Sequence, residues 1–350
     1  MTCTTGQHRE MLAQCLDVFD IRPDFDLSVM RPNQNLASVT ARILDGISPV
    51  FEVVRPDAVM VQGDTTTAFA ATLAAYYARI PVAHVEAGLR TYDLNAPYPE
   101  EAMRQMVSRL ASWHFAPTEQ NREALIAERV NSAKIYVTGN TVIDALLMMR
   151  GLVTSGARPD LLELPHELTA LLDDSAGQRM VLITGHRRES FGEGIQDICA
   201  AIARLAAEFP SVLFVYPVHL NPNVLEPVQR VLTGVVNIYL LKPVNYYTFV
   251  YLMNRASLII SDSGGVQEEA PSLKVPVLVT RTVTERMEVV ESGSVKLVGS
   301  DCARIVSEAR VLLTDETERI RMTLARNPYG DGDAASRILR AIAAGEMVVR

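Results

Sequence analysis

Leu258-Ile259-Ile260-Ser261-Asp262-Ser263-Gly264-Gly265-Val266-Gln267-Glu268-Glu269 is the stretch from which the fold can be read. Its apolar start has the character of a strand buried on both faces, and Ser-Gly-Gly then opens into a helix. Such a turn presents unpaired backbone N–H groups and the positive end of a helix dipole to an anion. Gly264 and Gly265 let the backbone approach a phosphate closely, and Ser263 adds a hydroxyl donor. Glu269 is placed to hold the hydroxyls of a ribose. An ordinary strand-to-helix turn uses the same residue types, so the weight falls on the neighbours.

Short apolar runs recur on both sides of this motif. Strands are expected at 57–61, 82–85, 113–116, 134–137, 180–184, 213–218, 238–240, 258–261 and 275–280. Helix-period segments fill the gaps, among them 35–54, 65–78, 99–111, 120–128, 194–208 and 246–256. Alternation of this kind implies βαβ units and parallel sheets covered on both faces. The expected fold is α/β, with two Rossmann-like domains facing across a cleft. They would occupy residues 1–150 and 151–333, with the punctuated stretch 151–178 as the boundary. The last helix, within 334–350, is expected to pack back on the first domain.

Composition narrows the function classes. A chain of 350 residues with 48% hydrophobic content can bury a large core, and a net charge of −8 argues against a nucleic-acid partner. Cys3, Cys15, Cys199 and Cys302 are scattered without metal-type spacing, which suits buried thiols in a reducing compartment and no bound metal. No apolar run reaches the ~18 residues of a membrane span, and the first residues lack a signal-peptide core. A cytoplasmic protein is expected.

In open α/β sheets, ligands sit beyond the carboxyl ends of the strands. Asp64 follows the run at 59–61, Glu86 follows 82–85, and Glu100 opens the next helix. Each acid has a plain alternative: a helix cap for Asp64, a loop partner of Arg90 for Glu86, a first-turn charge for Glu100. Three acids at successive strand ends would raise one another's pKa, which supplies one base and one acid near neutrality. In the second half His186, Arg187 and Arg188 follow the strand at 180–184, a good anion clamp with an imidazole for proton transfer. Arg286 follows the strand at 275–280 and would add a cation for phosphate. His84 and His114 read as satisfied core residues.

These motifs resemble the bacterial non-hydrolysing UDP-N-acetylglucosamine 2-epimerases. The matching stretches run in order along the whole chain: Thr5-Gly-Gln-His-Arg-Glu-Met-Leu12, Gly63-Asp-Thr-Thr-Thr67, His84-Val-Glu-Ala-Gly-Leu-Arg-Thr91, Pro99-Glu-Glu101, Thr138-Gly-Asn-Thr-Val-Ile-Asp-Ala-Leu146, Thr184-Gly-His-Arg-Arg-Glu-Ser-Phe191, Tyr216-Pro-Val-His-Leu-Asn-Pro222, Asp262-Ser-Gly-Gly-Val-Gln-Glu-Glu-Ala-Pro271 and Asn327-Pro-Tyr-Gly-Asp-Gly332. The resemblance implies a two-domain fold like the GT-B glycosyltransferases and a homodimer. It implies interconversion of UDP-GlcNAc and UDP-ManNAc through elimination and re-addition of UDP, without cofactor. Asp64, Glu86, Glu100 and His186 match its catalytic set. Arg187, Ser263, Gly264, Gly265, Glu269, Arg286 and the backbone near Phe249 match its nucleotide-sugar contacts. A second, activating UDP-GlcNAc site would use Gln7, His8, Gln34 and His219. Glu10 and Asn33 stand where some members have glutamine and arginine, and Met103 and Met287 where they have asparagine and proline. A short first strand, a Gly-Thr-Arg-Pro-Glu turn and a helix of the family are not seen ahead of Thr5. The expected consequence is a sheet with an unpaired neighbour, an apolar gap, and reduced stability and activity. The alternatives are a hydrolysing relative that releases ManNAc, a non-catalytic UDP-sugar binder, and, at the level of fold, a glycosyltransferase.

Overall fold

The computed structural model describes residues 1–7, 9–31, 34–173, 178–187 and 191–344, and the chain divides into two units. The first comprises Met1–Asp144 and Tyr329–Arg350, the second Ala145–Pro328. In the first unit β1 (Cys3–Thr4), α1 (Arg9–Val18), β2 (Phe25–Asp26), α2 (Leu36–Val54), β3 (Val59–Gln62), α3 (Thr66–Tyr77) and β4 (Val82–Val85) follow in order. Then come α4 (Glu100–Leu110), β5 (Trp113–Ala116), α5 (Glu119–Ala127), β6 (Ile135–Val137) and α6 (Thr141–Ser155), which carries the chain into the second unit. There α7 (His166–Asp173), β7 (Met180–Thr184), α8 (Glu193–Glu208), β8 (Leu213–Pro217), α9 (Pro222–Leu232), β9 (Ile238–Leu241) and α10 (Tyr246–Arg255) precede β10 (Leu258–Ser261). The unit finishes with α11 (Gly264–Glu269), β11 (Val277–Val279), α12 (Met287–Ser292), β12 (Val295–Leu297), α13 (Cys302–Thr314) and α14 (Glu316–Leu324). Finally α15 (Ala334–Ala343) returns to the first unit.

Every strand pair described is parallel. The second unit has a six-stranded sheet in the order β12-β11-β10-β7-β8-β9. Its first strand, β7, lies at the centre, and Met180–Ile183 are buried there. Purely parallel strands covered by helices on both faces must be apolar throughout, and Val181, Leu182, Phe214, Val215, Ile259 and Leu278 meet that demand. The strand order reverses between β7 and β10. Such a switch point leaves a crevice at the carboxyl ends of those two strands.

The first unit has the order β3-β4-β5-β6, and β1 and β2 form a separate two-stranded sheet. The four-stranded part is closed on one face by α15. Ile338 packs against Ala83, Val85, Trp113 and Phe115, while Arg337 and Arg340 on the polar side pair with Asp331 and Asp333. The Asp144 carboxylate accepts from the Ala334 and Ala335 amides at 3.2 and 2.8 Å, capping the N-terminus of α15. The other face is covered by α3, which is rich in alanine and so fits closely between α2 and α4.

The dividing point lies inside α6, ahead of the punctuated stretch 151–178. The helix runs unbroken through Gly151, and its two ends serve different units. Asp144 caps α15, whereas the Leu152 carbonyl accepts from Tyr247 Oη. β2 and β12 were not expected from sequence; at two or three residues each they are too short to show a period. Truncating Ile338 to alanine should destabilise the first unit by about 3 kcal/mol, the usual cost of emptying a fully buried aliphatic site. Urea unfolding followed through Trp113, which touches the same cluster, checks this directly.

Candidate functional site

The acids of the first unit stand where the sheet ends. Asp64 follows β3 and Gly63, and Thr65 caps α3 by accepting from the Ala68 amide at 3.3 Å. Cap and acid are therefore separate residues. Asp64 Oδ2 is 2.8 Å from Arg104 Nη2. Arg104 lies on α4 and is buried, and its Nη1 is 3.5 Å from Glu101 Oε2. A buried guanidinium must be neutralised, and Asp64 and Glu101 share that task.

Glu86 follows β4 with φ 64°, a left-handed conformation that costs a non-glycine residue about 1 kcal/mol. Its Oε2 lies 3.6 Å from where a Cβ on Gly63 would be, so the carboxylate sits beside the turn that carries Asp64. Arg90 is committed elsewhere: it pairs with Glu128 at 2.6 Å and donates to Ser108 at 2.9 Å. Two residues after Glu86, Gly88 has φ 97°, and a Cβ there would stand 2.3 Å from the Asn121 carbonyl oxygen, which only glycine avoids. Glu100 is the half-buried first residue of α4. Its neighbour Glu101 is fully buried and accepts from the Thr91 and Tyr92 amides and from Gln105. Burial alone would raise the Glu101 pKa, but those hydrogen bonds and Arg104 outweigh it and hold the carboxyl below its usual range.

His84 and His114 are core residues, but incompletely satisfied ones: Nδ1 of each is buried without a hydrogen-bond partner. Burial pushes His84 down to about 3, so the ring is neutral. Its Nε2–H then donates to the Gly63 carbonyl at 2.9 Å, which fixes the turn bearing Asp64. Gln7 belongs to the same neighbourhood. Its Oε1 accepts from Thr67 Oγ1 at 2.8 Å, at the first turn of α3. Gln34 lies apart in a local network with Arg31 and Arg42. His8, Asn33 and Arg188 fall outside the described residues.

In the second unit the motifs after β7 and β10 meet. The register Ser261↔Thr184 places the following residues side by side. The His186 and Arg187 amides both donate to Asp262 Oδ2, at 2.9 and 2.8 Å. Asp262 Oδ1, buried and without a hydrogen-bond partner, is 3.6 Å from His186 Nδ1. Burial lowers the His186 pKa, with Arg187 and His219 acting in the same direction and Asp262 against them. The His219 ring stacks on His186 with centroids 5.7 Å apart, so a residue assigned to an activating site touches one assigned to catalysis.

Ser263, Gly264 and Gly265 open α11. A Cβ on Gly264 would lie 2.6 Å from Arg286 Nη1, so the missing side chain is what lets the guanidinium rest on the helix start. Arg286 is also bonded to Glu268 at 2.6 Å and to Glu285. Glu269 is buried against Tyr246, whose hydroxyl donates to it at 2.6 Å. Burial raises its pKa to about 7, Tyr246 opposing and Glu268 assisting. Phe249 lies in α10 with its amide already committed to the Asn245 carbonyl at 3.0 Å. Among the described residues no group of His, Cys, Asp and Glu is arranged to hold a metal, and no helix is long and apolar enough to cross a membrane.

Sequence reasoning passed over Arg104, Asp262 and Tyr246. Arg104 stands four residues after Glu100, one helical turn, and that spacing was visible. Asp262 lay inside the opening motif. Tyr246 meets Glu269 only through the tertiary fold.

Chemically, the first unit offers carboxylates beside a buried cation, and the second offers an anion cradle beside an imidazole and a carboxyl that titrates near neutrality. The profile of the UDP-N-acetylglucosamine 2-epimerase family matches residues 1–343. A UDP-N-acetylglucosamine 2-epimerase of Yersinia pestis is 56% identical over 340 residues, 97% of this chain and 89% of that protein. One of Escherichia coli strain K12 is 54% identical over 343 residues, with the same coverage of 97% and 89%. Among solved structures, the Neisseria meningitidis UDP-GlcNAc 2-epimerase bound to UDP-GlcNAc superposes with a TM-score of 0.86 at 46% identity, covering 98% of this chain and 91% of that one. The Methanocaldococcus jannaschii enzyme in complex with UDP-GlcNAc and UDP gives 0.73 at 31% identity, covering 94% and 87%.

Because the folded-state pKa of Glu269 is raised, its contribution to stability is fully present below the ordinary carboxyl value and is lost as pH rises through about 7. The variant Glu269→Gln cannot release a proton. Its melting temperature relative to the parent should therefore rise by several degrees between pH 5 and pH 8, measured by calorimetry.

Proposed function

Since the chain belongs to the UDP-N-acetylglucosamine 2-epimerase family, we propose that it interconverts UDP-GlcNAc and UDP-ManNAc by the non-hydrolysing route. The observation that carries this reading is the pairing of Asp64 and Glu86 at one turn, with Asp64 held by Arg104. Inverting C2 requires the C2 proton to leave on one face and return on the other. That proton is only weakly acidic, so direct removal is hard. Breaking the C1–O bond together with C2–H makes it feasible. A carboxylate takes the proton, the C–H electron pair becomes the C1=C2 bond of a 2-acetamidoglucal, and the C1–O pair leaves with UDP. Reprotonation of C2 from the other face and re-addition of a UDP oxygen to C1 complete the cycle, with no net redox change.

Asp64, Glu86 and Glu100 form the acid set in this proposal. The Arg104 guanidinium, 2.8 Å from Asp64 Oδ2, holds that carboxylate in position. On the second unit Ser263, the Gly264 and Gly265 amides and Arg286 receive the diphosphate, whose charge grows as C1–O breaks. His186 and Arg187 support the leaving group, and Glu269 takes the ribose hydroxyls. Phe249 marks the backbone that faces the uracil. Gln7, His8, Gln34 and His219 are proposed for a second UDP-GlcNAc site. A homodimer in the cytoplasm, feeding cell-surface polysaccharide synthesis, completes the reading. A hydrolysing enzyme would use the same acids but release free sugar.

Incubation with UDP-GlcNAc in D₂O decides between them. The expected result is deuterium at C2 of both UDP-sugars and no free ManNAc. Asp64→Asn should lower label uptake by roughly 10²–10⁴-fold, the range for a general base or acid, while UDP binding stays within about twofold. His186→Asn should also lower uptake. Free ManNAc as the main product would identify a hydrolase, and absent label in the parent protein a non-catalytic binder.

A further inference from the structure

Which nitrogen of His186 carries the proton decides what the ring can do to an anion, and its surroundings decide the nitrogen. Nδ1 is 3.6 Å from Asp262 Oδ1. Asp262 is 1% exposed, and its two oxygens are used differently. Oδ2 accepts from the His186 and Arg187 amides at 2.9 and 2.8 Å, whereas Oδ1 is buried without a hydrogen-bond partner. A buried carboxylate oxygen needs a donor, and Nδ1–H is the donor beside it. The Tyr216 hydroxyl, also buried and unpartnered, stands on the other side: a Cβ on Gly185 would lie 3.5 Å from it and 3.4 Å from Asp262 Oδ2. The contact from Nδ1 to Oδ1 is a little long for a hydrogen bond, and such contacts tighten when a ligand is seated.

His219 is set the other way. The Asn221 amide donates to its Nδ1 at 3.1 Å, which puts the His219 proton on Nε2. The two rings stack with centroids 5.7 Å apart, so a charge on one disfavours a charge on the other. Of the two, His186 has the carboxylate beside it and is the ring that can become a cation. Its side chain is 44% exposed while the Nδ1 edge faces buried Asp262, which leaves Nε2 as the nitrogen open to a ligand.

We propose that Asp262 is a positioning residue that fixes His186 as the Nδ1–H tautomer, so that Nε2 holds a diphosphate oxygen only after taking up a proton. The proposal rests on the reading that this cradle receives a diphosphate. Neutral His186 turns a lone pair toward the anion and repels it. The imidazolium instead donates from Nε2 while Asp262 balances the charge at Nδ1. Among the described residues, the charged and titratable groups that face the ring are Asp262 after β10, Arg187 on its own loop and His219 after β8. Burial, with Arg187 and His219, holds the ring below its usual pKa and Asp262 opposes them, so near neutrality the proton arrives with the ligand. That proton then faces the oxygens that gain charge as C1–O breaks.

The test uses the full chain labelled with nitrogen-15 at histidine. Two-bond proton–nitrogen spectra near neutral pH should show His186 protonated at Nδ1 and His219 at Nε2, with His186→Asn and His219→Asn variants assigning the signals. Calorimetry in buffers of differing ionisation enthalpy should show UDP binding with uptake of roughly one proton. In Asp262→Asn the side-chain oxygen still accepts from the His186 and Arg187 amides, which turns its NH2 toward Nδ1. His186 should then move to the Nε2–H tautomer, and proton uptake should fall below about half that of the parent. The kcat for epimerisation should drop by roughly 10²-fold with KM within about threefold, as expected of a wrong tautomer. Unchanged exchange protection at the His186 and Arg187 amides shows an intact loop; if they open, the tautomer and proton uptake of the parent decide alone. His186 lacking a proton at Nδ1, UDP binding without proton uptake, or a tautomer that Asp262→Asn leaves unchanged overturns the proposal. Absence of UDP binding overturns the nucleotide reading of the cradle instead, and the ring's tautomer still decides what Asp262 does.

Discussion

Two backbone amides end on one oxygen of a carboxylate that is almost wholly withdrawn from water, and the second unit's site takes its shape from that junction. Asp262 closes β10, His186 and Arg187 open the loop after β7, and adjacent parallel strands bring them level. A buried carboxylate is tolerable only when its hydrogen bonds replace hydration, each worth about 1.5–3 kcal/mol when one partner is charged. The amides can be spent here because they follow Thr184, the last residue of β7 paired with β10. The switch point thus does more than open a crevice. It leaves donors free for one acid to gather, and that gathering turns the His186 ring toward His219.

Charge in both units is arranged by the same economy. Arg104 and Arg286 are each held by two carboxylates, Asp64 with Glu101 and Glu268 with Glu285. On a chain of net charge −8, a bare cation at a strand end would attract any passing anion. A guanidinium already fixed by acids is rigid and selective instead. It rewards only a ligand whose oxygens arrive where the fork points, and preorganisation of this kind lowers the entropy lost on binding.

Much of this was visible in the sequence because parallel α/β proteins are written in a regular hand. Buried strands such as Leu258–Ser261 and Val82–Val85 are short, continuous and apolar, and polar motifs follow them at once. Reading the residues after each run located Asp64, Glu86, His186 and Ser263 at carboxyl ends of strands, where the structure has them. Other features were harder. The helix α13 carries a clear period in Ile305, Val306, Ala309, Leu312 and Leu313 yet was passed over, whereas α14 is mostly charged and shows almost none. Partners distant in sequence left no local trace: Tyr246 on Glu269, or the His84 ring on the Gly63 carbonyl. The division at Asp144–Ala145, inside α6, leaves little trace in the sequence for a related reason. A helix that serves two bodies keeps its period through the join, so composition changes only after it ends.

The contact at Gly88 has a wider meaning for how the first unit can change. Its Cα lies so near the Asn121 carbonyl that no side chain fits, and Asn121 is in the first turn of α5. The turn that displays Glu86 is thus keyed to a helix end, tooth against notch. Sliding α5 along its axis by even a small fraction of its pitch would drag that turn with it. The acid rim therefore inherits the stiffness of the helix layer beneath, and sequence drift in α5 is constrained by chemistry taking place at another strand's tip.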